Sequence, residues 1–240
     1  MIINQLKSTD IVPKLQIPDE DASTPIQDSE AQFIFDFIQF HGIKKTLETG
    51  LAYAKSASHI IASTNETHIA IDPFQNDYHR LGVKNIKGLG LEKLLDLRED
   101  YSHNVLPELV KEGRKFEFIF IDGDHKFDCE LVDFYYADLL LVNKGYILLH
   151  DTWLNSTKLL MSFINTNRKD YKQLTTGIKN FALYQKFGKD TRNTMFFREF
   201  CGKDSNSLKN KISWILNRKL QRFKNFLLLL KDKLKVYKTF

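Results

Sequence analysis

The stretch Phe116-Glu117-Phe118-Ile119-Phe120-Ile121 is almost wholly apolar and is followed at once by Asp122-Gly123-Asp124-His125. A short apolar run bounded by turn residues predicts a buried strand, here one that delivers acids and a histidine to a single point. Residues Gly145 to Asp151 repeat the pattern: the run Tyr146-Ile147-Leu148-Leu149 ends in His150-Asp151. Two apolar strands that both finish in polar, metal-competent side chains predict the carboxyl edge of a parallel sheet, where open α/β folds place their ligands. The first expectation is therefore an enzyme.

The rest of the chain alternates strand-like and helix-like segments. Residues 8 to 29, with Pro13, Pro18 and Pro25, read as an extended arm (1–29) before a first helix capped by Asp28 or Ser29 and ended by Gly42. Strands are expected near 45–48, 68–73, 94–99, 116–121 and 146–150, with helices over 77–90, 102–113, 127–141 and 155–167; Ser102 is the expected cap of its helix. Tyr171–Thr175 and Phe181–Phe187 are strand-like runs separated by only Thr176-Gly177-Ile178-Lys179-Asn180, too short for a helical crossover, so they form an antiparallel pair. The predicted fold is α/β: a doubly wound, Rossmann-like, mostly parallel seven-stranded sheet with a C-terminal antiparallel hairpin. That domain is expected over 30–200, followed by a basic tail over 201–240.

The tail carries most of the basicity. From Lys203 onward eleven Lys or Arg stand against Asp204 and Asp232, so the net charge of +5 becomes −4 for residues 1–202. A uniformly basic nucleic-acid-binding surface is thus not indicated, and no nucleic-acid partner is expected. Leu216, Leu220, Phe223, Leu227, Leu230, Leu234 and Tyr237 share one helical stripe, with Lys and Arg on the other face. Residues 208–238 thus read as an amphipathic helix that docks on its own domain or a second copy, or lies on an anionic membrane surface. The two cysteines, Cys129 and Cys201, suggest no disulfide framework, and Met1–Lys7 suggests no secretory signal. A cytoplasmic, at most membrane-peripheral, protein is expected.

Glu48-Thr49-Gly50-Leu51-Ala52-Tyr53-Ala54-Lys55-Ser56 has the form of a first strand–turn–helix unit of a nucleotide-binding sheet, with Gly50 permitting a tight turn. Asp72 ends the next strand, 24 residues beyond Glu48. An acid there accepts hydrogen bonds from ribose hydroxyls, or serves as a turn residue before Pro73.

Glu48-x-Gly50-x-x-x-Ala54-x-Ser56, then Asp72, then Asp122-Gly123-Asp124-His125, then His150-Asp151 together resemble the class I S-adenosylmethionine-dependent methyltransferases. More narrowly, the pattern resembles the metal-dependent O-methyltransferases of catechol and of macrolide sugars, over roughly residues 30–187. The resemblance implies that Glu48, Gly50, Ala52, Ser56, Asp72, Ser102, His103 and Asp122 bind S-adenosylmethionine. It implies a divalent metal, Mg²⁺ by preference, on Asp122, Asp151 and His150, and His125 as general base. Asp124 is a further candidate ligand or substrate contact. Ala54 stands where the family has glycine, and His150 where the sugar-modifying enzymes have an acid.

The chemistry is consistent with those residue types. An alcohol is a poor nucleophile at neutral pH; a cation on its oxygen lowers its pKa, and a nearby histidine can take the proton. The implied substrate is a small molecule with a hydroxyl, a sugar or glycan by preference. An NAD-dependent oxidoreductase would share Asp72 and the first turn, but the missing glycines and the terminal hairpin count against it. A non-catalytic module of the same fold, or a hydroxylase-like or hydrolytic use of the metal edge, stays open.

Overall fold

The computed structural model describes residues 6–192. The expected tail helix at 208–238 and Cys201 lie outside the described residues. Seven strands form one sheet in the order β3-β2-β1-β4-β5-β7-β6. These are β1 Thr46–Thr49, β2 His68–Ile71, β3 Leu95–Arg98, β4 Phe116–Ile121, β5 Leu141–Leu149, β6 Tyr171–Leu174 and β7 Ala182–Lys186. β1 pairs parallel with both β2 and β4, and β4 pairs parallel with β5. β7 runs antiparallel to both β5 and β6, as the short link at 176–180 requires. Because the chain winds outward from β1 to β3 and then returns to β4, the direction of winding reverses between β1 and β4. That switch point is a crevice at the carboxyl edge.

Helices cover both faces. On one side α2 (Asp28–His41) and α3 (Lys55–Thr64) bury Ile34, Ile38 and Ile60 against Phe118, Phe120 and Leu148. On the other, α5 (Ser102–Lys111), α6 (Phe127–Leu140) and α7 (Asn155–Asn167) bury Leu106, Phe134 and Leu160 against Ile119, Ile121 and Leu149. Successive side chains of β4 and β5 therefore enter opposite cores. A strand buried on both faces must read as a continuous apolar run, which is the pattern of Phe118–Ile121 and Tyr146–Leu149.

Several boundaries differ from expectation for local reasons. The segment before α2 is not extended: Ser8–Ile11 (α1) is helical, with 3₁₀ turns at Val12–Lys14 and Asp19–Asp21, and Ile11 packs against Phe35 and Ala62. α2 is capped by Gln27, whose side chain accepts from the Glu30 amide while the Glu30 carboxylate accepts from the Gln27 amide, so Asp28 and Ser29 lie inside the helix. Ser102 is the first residue of α5, with Tyr101 at the cap. The helix expected over 77–90 is α4, Leu81–Gly88; His79 and Arg80 take left-handed φ values of 51° and 56° and hold the preceding residues in turns. Among the described residues no helix is long and apolar enough to cross a membrane.

Candidate active site

A cleft of about 460 Å³ opens at the switch point, within the size range of small-molecule sites. Its floor is the turn between β1 and α3. Gly50, Ala52 and Ala54 all have positive φ (87°, 44° and 60°), which folds the backbone tightly under the cleft. Gly50 has no alternative: a Cβ there would lie 2.1 Å from the Asp122 carbonyl oxygen. Ala54 holds its left-handed conformation despite a methyl group, in a fully buried position at the α3 cap.

Asp72 ties this turn to β2. Its Oδ2 accepts from the Leu51 and Ala52 amides at 3.1 and 2.8 Å and from Gln75 Nε2 at 2.9 Å, and its Oδ1 accepts from the Phe74 amide at 2.7 Å. Asp72 also lines the cleft with Gly50, Ala52 and Ser56, so the turn role and the cleft role coexist in one side chain. Glu48 lies beneath the turn, fully buried, and is not part of the cleft wall. Its oxygens find only long contacts, the nearest being His68 Nε2 at 3.5 Å, and burial pushes its carboxyl up.

The far wall departs from the expected pair Ser102–His103. Ser102 lines the cleft, but His103 is exposed and stacks on the outer side of Tyr101, ring centroids 5.3 Å apart. The groups facing the cleft are Tyr101 and Phe74, 48% and 44% exposed, which meet edge to face at 5.9 Å. Sequence reasoning missed both. Each is an aromatic residue within three positions of a strand's carboxyl end, and that placement was the available signal.

Behind Ser102, the Asp133 carboxyl on α6 is buried, which pushes it up to about 6 although the nearby Ser102 and Thr49 hydroxyls oppose the shift. Residues 24–26, ahead of α2, close the opposite wall, and Lys55 pairs there with Asp28 at 2.5 Å.

The remaining wall carries the acids. Asp122 follows β4, Asp151 follows β5, and His125 stands on the loop after Asp122. One ligand atom from each of these three lies within 4.8 Å of the others. Asp151 has a left-handed φ of 50°, a strained conformation that bends the chain at the cleft rim. Its Oδ2 lies 3.3 Å from Nε2 of His125, whose side chain is 45% exposed and open to the cleft. Trp153 Nε1 donates to Asp151 Oδ1 at 3.0 Å. Asp124 lines the cleft but is held by Lys126 at 2.7 Å, which keeps its carboxyl below the usual range.

His150 is placed differently from the converging three. It lies behind the cleft wall, Nδ1 2.9 Å from Asp122 Oδ1, and Nε2 2.9 Å from Asn180 Nδ2 and 3.3 Å from Glu30 Oε2, so both ring nitrogens are engaged. Burial lowers the imidazole's pKa, but the hydrogen bonds to Asp122 and Glu30 outweigh it and push the group up to about 10. Burial raises the Glu30 carboxyl, but the hydrogen bond with His150 outweighs it and holds the group low.

A seven-stranded doubly wound sheet ending in an antiparallel pair, with a glycine turn and a strand-end acid at its switch point, defines the class I S-adenosylmethionine-dependent methyltransferase architecture. Solved structures with this fold include an O-methyltransferase from Bacillus cereus in complex with SAH (TM-score 0.59, 15% identity, 78% of this chain and 100% of that one). The O-methyltransferase TomG from Streptomyces achromogenes, in complex with SAM, is similar (TM-score 0.57, 13% identity, 78% and 100%).

A family model described as O-methyltransferase matches residues 12–194, and the chain belongs to that family. Curated relatives include caffeoyl-CoA O-methyltransferase of Medicago sativa, 29% identical over 100 residues, and caffeoyl-CoA O-methyltransferase 1 of Eucalyptus globulus, 28% identical over 99. Each alignment spans 40% of this chain and 40% of the relative.

Proposed function

We propose that the chain transfers the methyl group of S-adenosylmethionine to a hydroxyl of a small molecule, with Asp122 and Asp151 holding a divalent metal and His125 acting as general base. The observation that carries this reading is the convergence of Asp122, His125 and Asp151 beside a cleft floored by the Gly50 turn.

The residues present fit both groups. Glu48 has orphaned carboxylate oxygens but is buried outside the cleft wall, so an amino group of the cofactor would reach them only if the turn beside cleft-lining Ser56 opened. Asp72 faces the position of a ribose, and Phe74 and Tyr101 give adenine an aromatic wall. Asp122 and Asp151 are hard oxygen donors at neighbouring strand ends, suited to Mg²⁺ with several waters retained. When bound, such a cation lowers the pKa of a coordinated hydroxyl.

The residues' work then follows from their positions. Asp122 and Asp151 orient the substrate oxygen in line with the methyl carbon. His125, open to the cleft, takes the hydroxyl proton as the O–C bond forms and the S–C bond breaks, leaving a neutral thioether. His150, engaged on both nitrogens, supports Asp122 and is not a ligand. The relatives named for caffeoyl-CoA broaden the expected substrate from a sugar to any small hydroxylated molecule. A panel of catechol esters and glycosides separates the two classes.

Calorimetric titration with S-adenosylmethionine and S-adenosylhomocysteine, with Mg²⁺ or chelator, tests the reading. Binding of both is expected, and binding of neither would overturn it. His125→Ala should leave cofactor and metal affinity within about twofold and lower turnover by the 10²–10⁴ typical of a lost general base. A collapse of metal affinity instead would make His125 a third ligand.

A further inference from the structure

Glu30 has no place in the cleft wall, yet it is only 2% exposed and reaches the site from behind. It sits in the first turn of α2, where a capping box alone would leave a glutamate at the surface. Its Oε2 accepts from the Gln27 amide at 2.6 Å and also meets His150 Nε2 at 3.3 Å. The other ring nitrogen of His150 meets Asp122 Oδ1 at 2.9 Å. Asn180, in the link between β6 and β7, donates to Asp151 Oδ1 at 3.2 Å and lies 2.9 Å from His150 Nε2 through the same nitrogen. Glu30 and Asn180 therefore meet on the same nitrogen of His150, which leads to Asp122 while Asn180 leads to Asp151, and neither His150 nor Asn180 lines the cleft.

We infer that Glu30 is a positioning residue: through His150 and Asn180 it fixes the directions in which Asp122 and Asp151 present their oxygens to the cleft. A carboxylate with one hydrogen-bond donor still turns about its side-chain torsions, and an imidazole with one partner swings with it. Anchoring the far nitrogen of His150 removes that freedom. Glu30 can serve as the anchor because the Gln27 amide fixes it to the helix backbone, at a helix N-terminus that favours an acid. The inference rests on the metal reading above; outer partners of this kind typically carry 10–100-fold of metal affinity.

The test uses the full chain and Mn²⁺ as the probe, followed by calorimetry and electron paramagnetic resonance. Glu30→Ala is expected to weaken Mn²⁺ about tenfold or more, while S-adenosylhomocysteine affinity stays near wild type, since Glu30 does not line the cleft. Asn180→Ala removes the other partner of His150 Nε2 and its link to Asp151 without touching the α2 cap and should weaken Mn²⁺ in the same direction, which keeps the test open if Glu30→Ala does not fold. Gln27→Ala removes the other half of the capping box; it should lower the melting temperature but leave Mn²⁺ affinity unchanged. Mn²⁺ affinity that survives Glu30→Ala or Asn180→Ala overturns the inference alone, as does an equal loss in Gln27→Ala, which would make the effect one of helix fraying. Wild-type protein that binds no Mn²⁺ overturns the metal assignment and this inference together.

Discussion

Replacing Gly50 by alanine tests the geometry of the site at its tightest point. The added Cβ would lie 2.1 Å from the Asp122 carbonyl oxygen and 2.8 Å from its carbon, and both are backbone atoms that no rotamer change can move aside. The residue's φ of 87° adds a cost of about 1–3 kcal/mol for any side chain. Relief of the clash must separate the end of β1 from the end of β4, adding about 1–3 kcal/mol typical of overpacking. A combined loss of about 2–6 kcal/mol should lower the melting temperature by roughly 5–20 °C for a domain of this size. Because the displaced atoms belong to Asp122, affinity for S-adenosylhomocysteine and for metal should fall as well. Gly177→Ala is the control: its φ is 75°, but nothing lies within 4 Å of its Cβ, so only the conformational cost remains. Thermal denaturation and calorimetry on both variants decide the matter. Equal losses for Gly50→Ala and Gly177→Ala, or unchanged ligand affinity in Gly50→Ala, would refute the close approach.

Asp133→Asn should stabilise the protein above neutral pH. The wild-type carboxyl is raised from 3.8 to about 6 on folding, so its favourable contribution is full below the unfolded pKa and is lost as pH rises through the folded value. The shift corresponds to about 3 kcal/mol. Urea denaturation should show the variant ahead at pH 7.5 and level with wild type near pH 4; a difference that does not depend on pH would rule out this origin. Asp72→Ala should lower stability and cofactor affinity together, because four N–H donors lose their acceptor; hydrogen bonds to a charged group contribute about 1.5–3 kcal/mol each, not additively. A loss of cofactor affinity with unchanged melting would reduce Asp72 to a ligand contact alone.

The sheet was legible because β4 and β5 are buried on both faces, and only a continuous apolar run satisfies that demand. The converging Asp122, His125 and Asp151 were legible for the same reason: they stand directly after those runs. Glu30 and Asn180 were not. Glu30 is 120 residues from His150 and Asn180 is 29 from Asp151, with α7 and β6 between, and a capping-box glutamate looks the same whether or not a histidine waits behind it. His103 was misplaced because sequence adjacency to Ser102 does not fix direction on a helix, where neighbouring residues point about 100° apart. Tyr101, at the cap, lines the cleft, and His103 stacks against it.

Several departures from local preference fall at the cleft. Gly50, Ala52, Ala54 and Asp151 all hold positive φ, and three of them carry a side chain that disfavours it, while Asn65, His79, Arg80 and Lys144 do so elsewhere. Ala54 is the clearest case, since a glycine there would remove the strain at no evident packing cost to the turn, yet its fully buried methyl group adds apolar contact with Leu51 and Ile61. Strain of this kind persists only where the surroundings over-determine the backbone. Here they do so from three sides: Asp72 clamps the turn from β2, the Asp122 carbonyl closes on Gly50 from β4, and Trp153 and Asn180 hold the Asp151 carboxylate. Each of these holds one wall of the cleft, so the strain and the site share the same fixed points. A turn relaxed by substitution at any of them is expected to lose ligand affinity before it loses its fold.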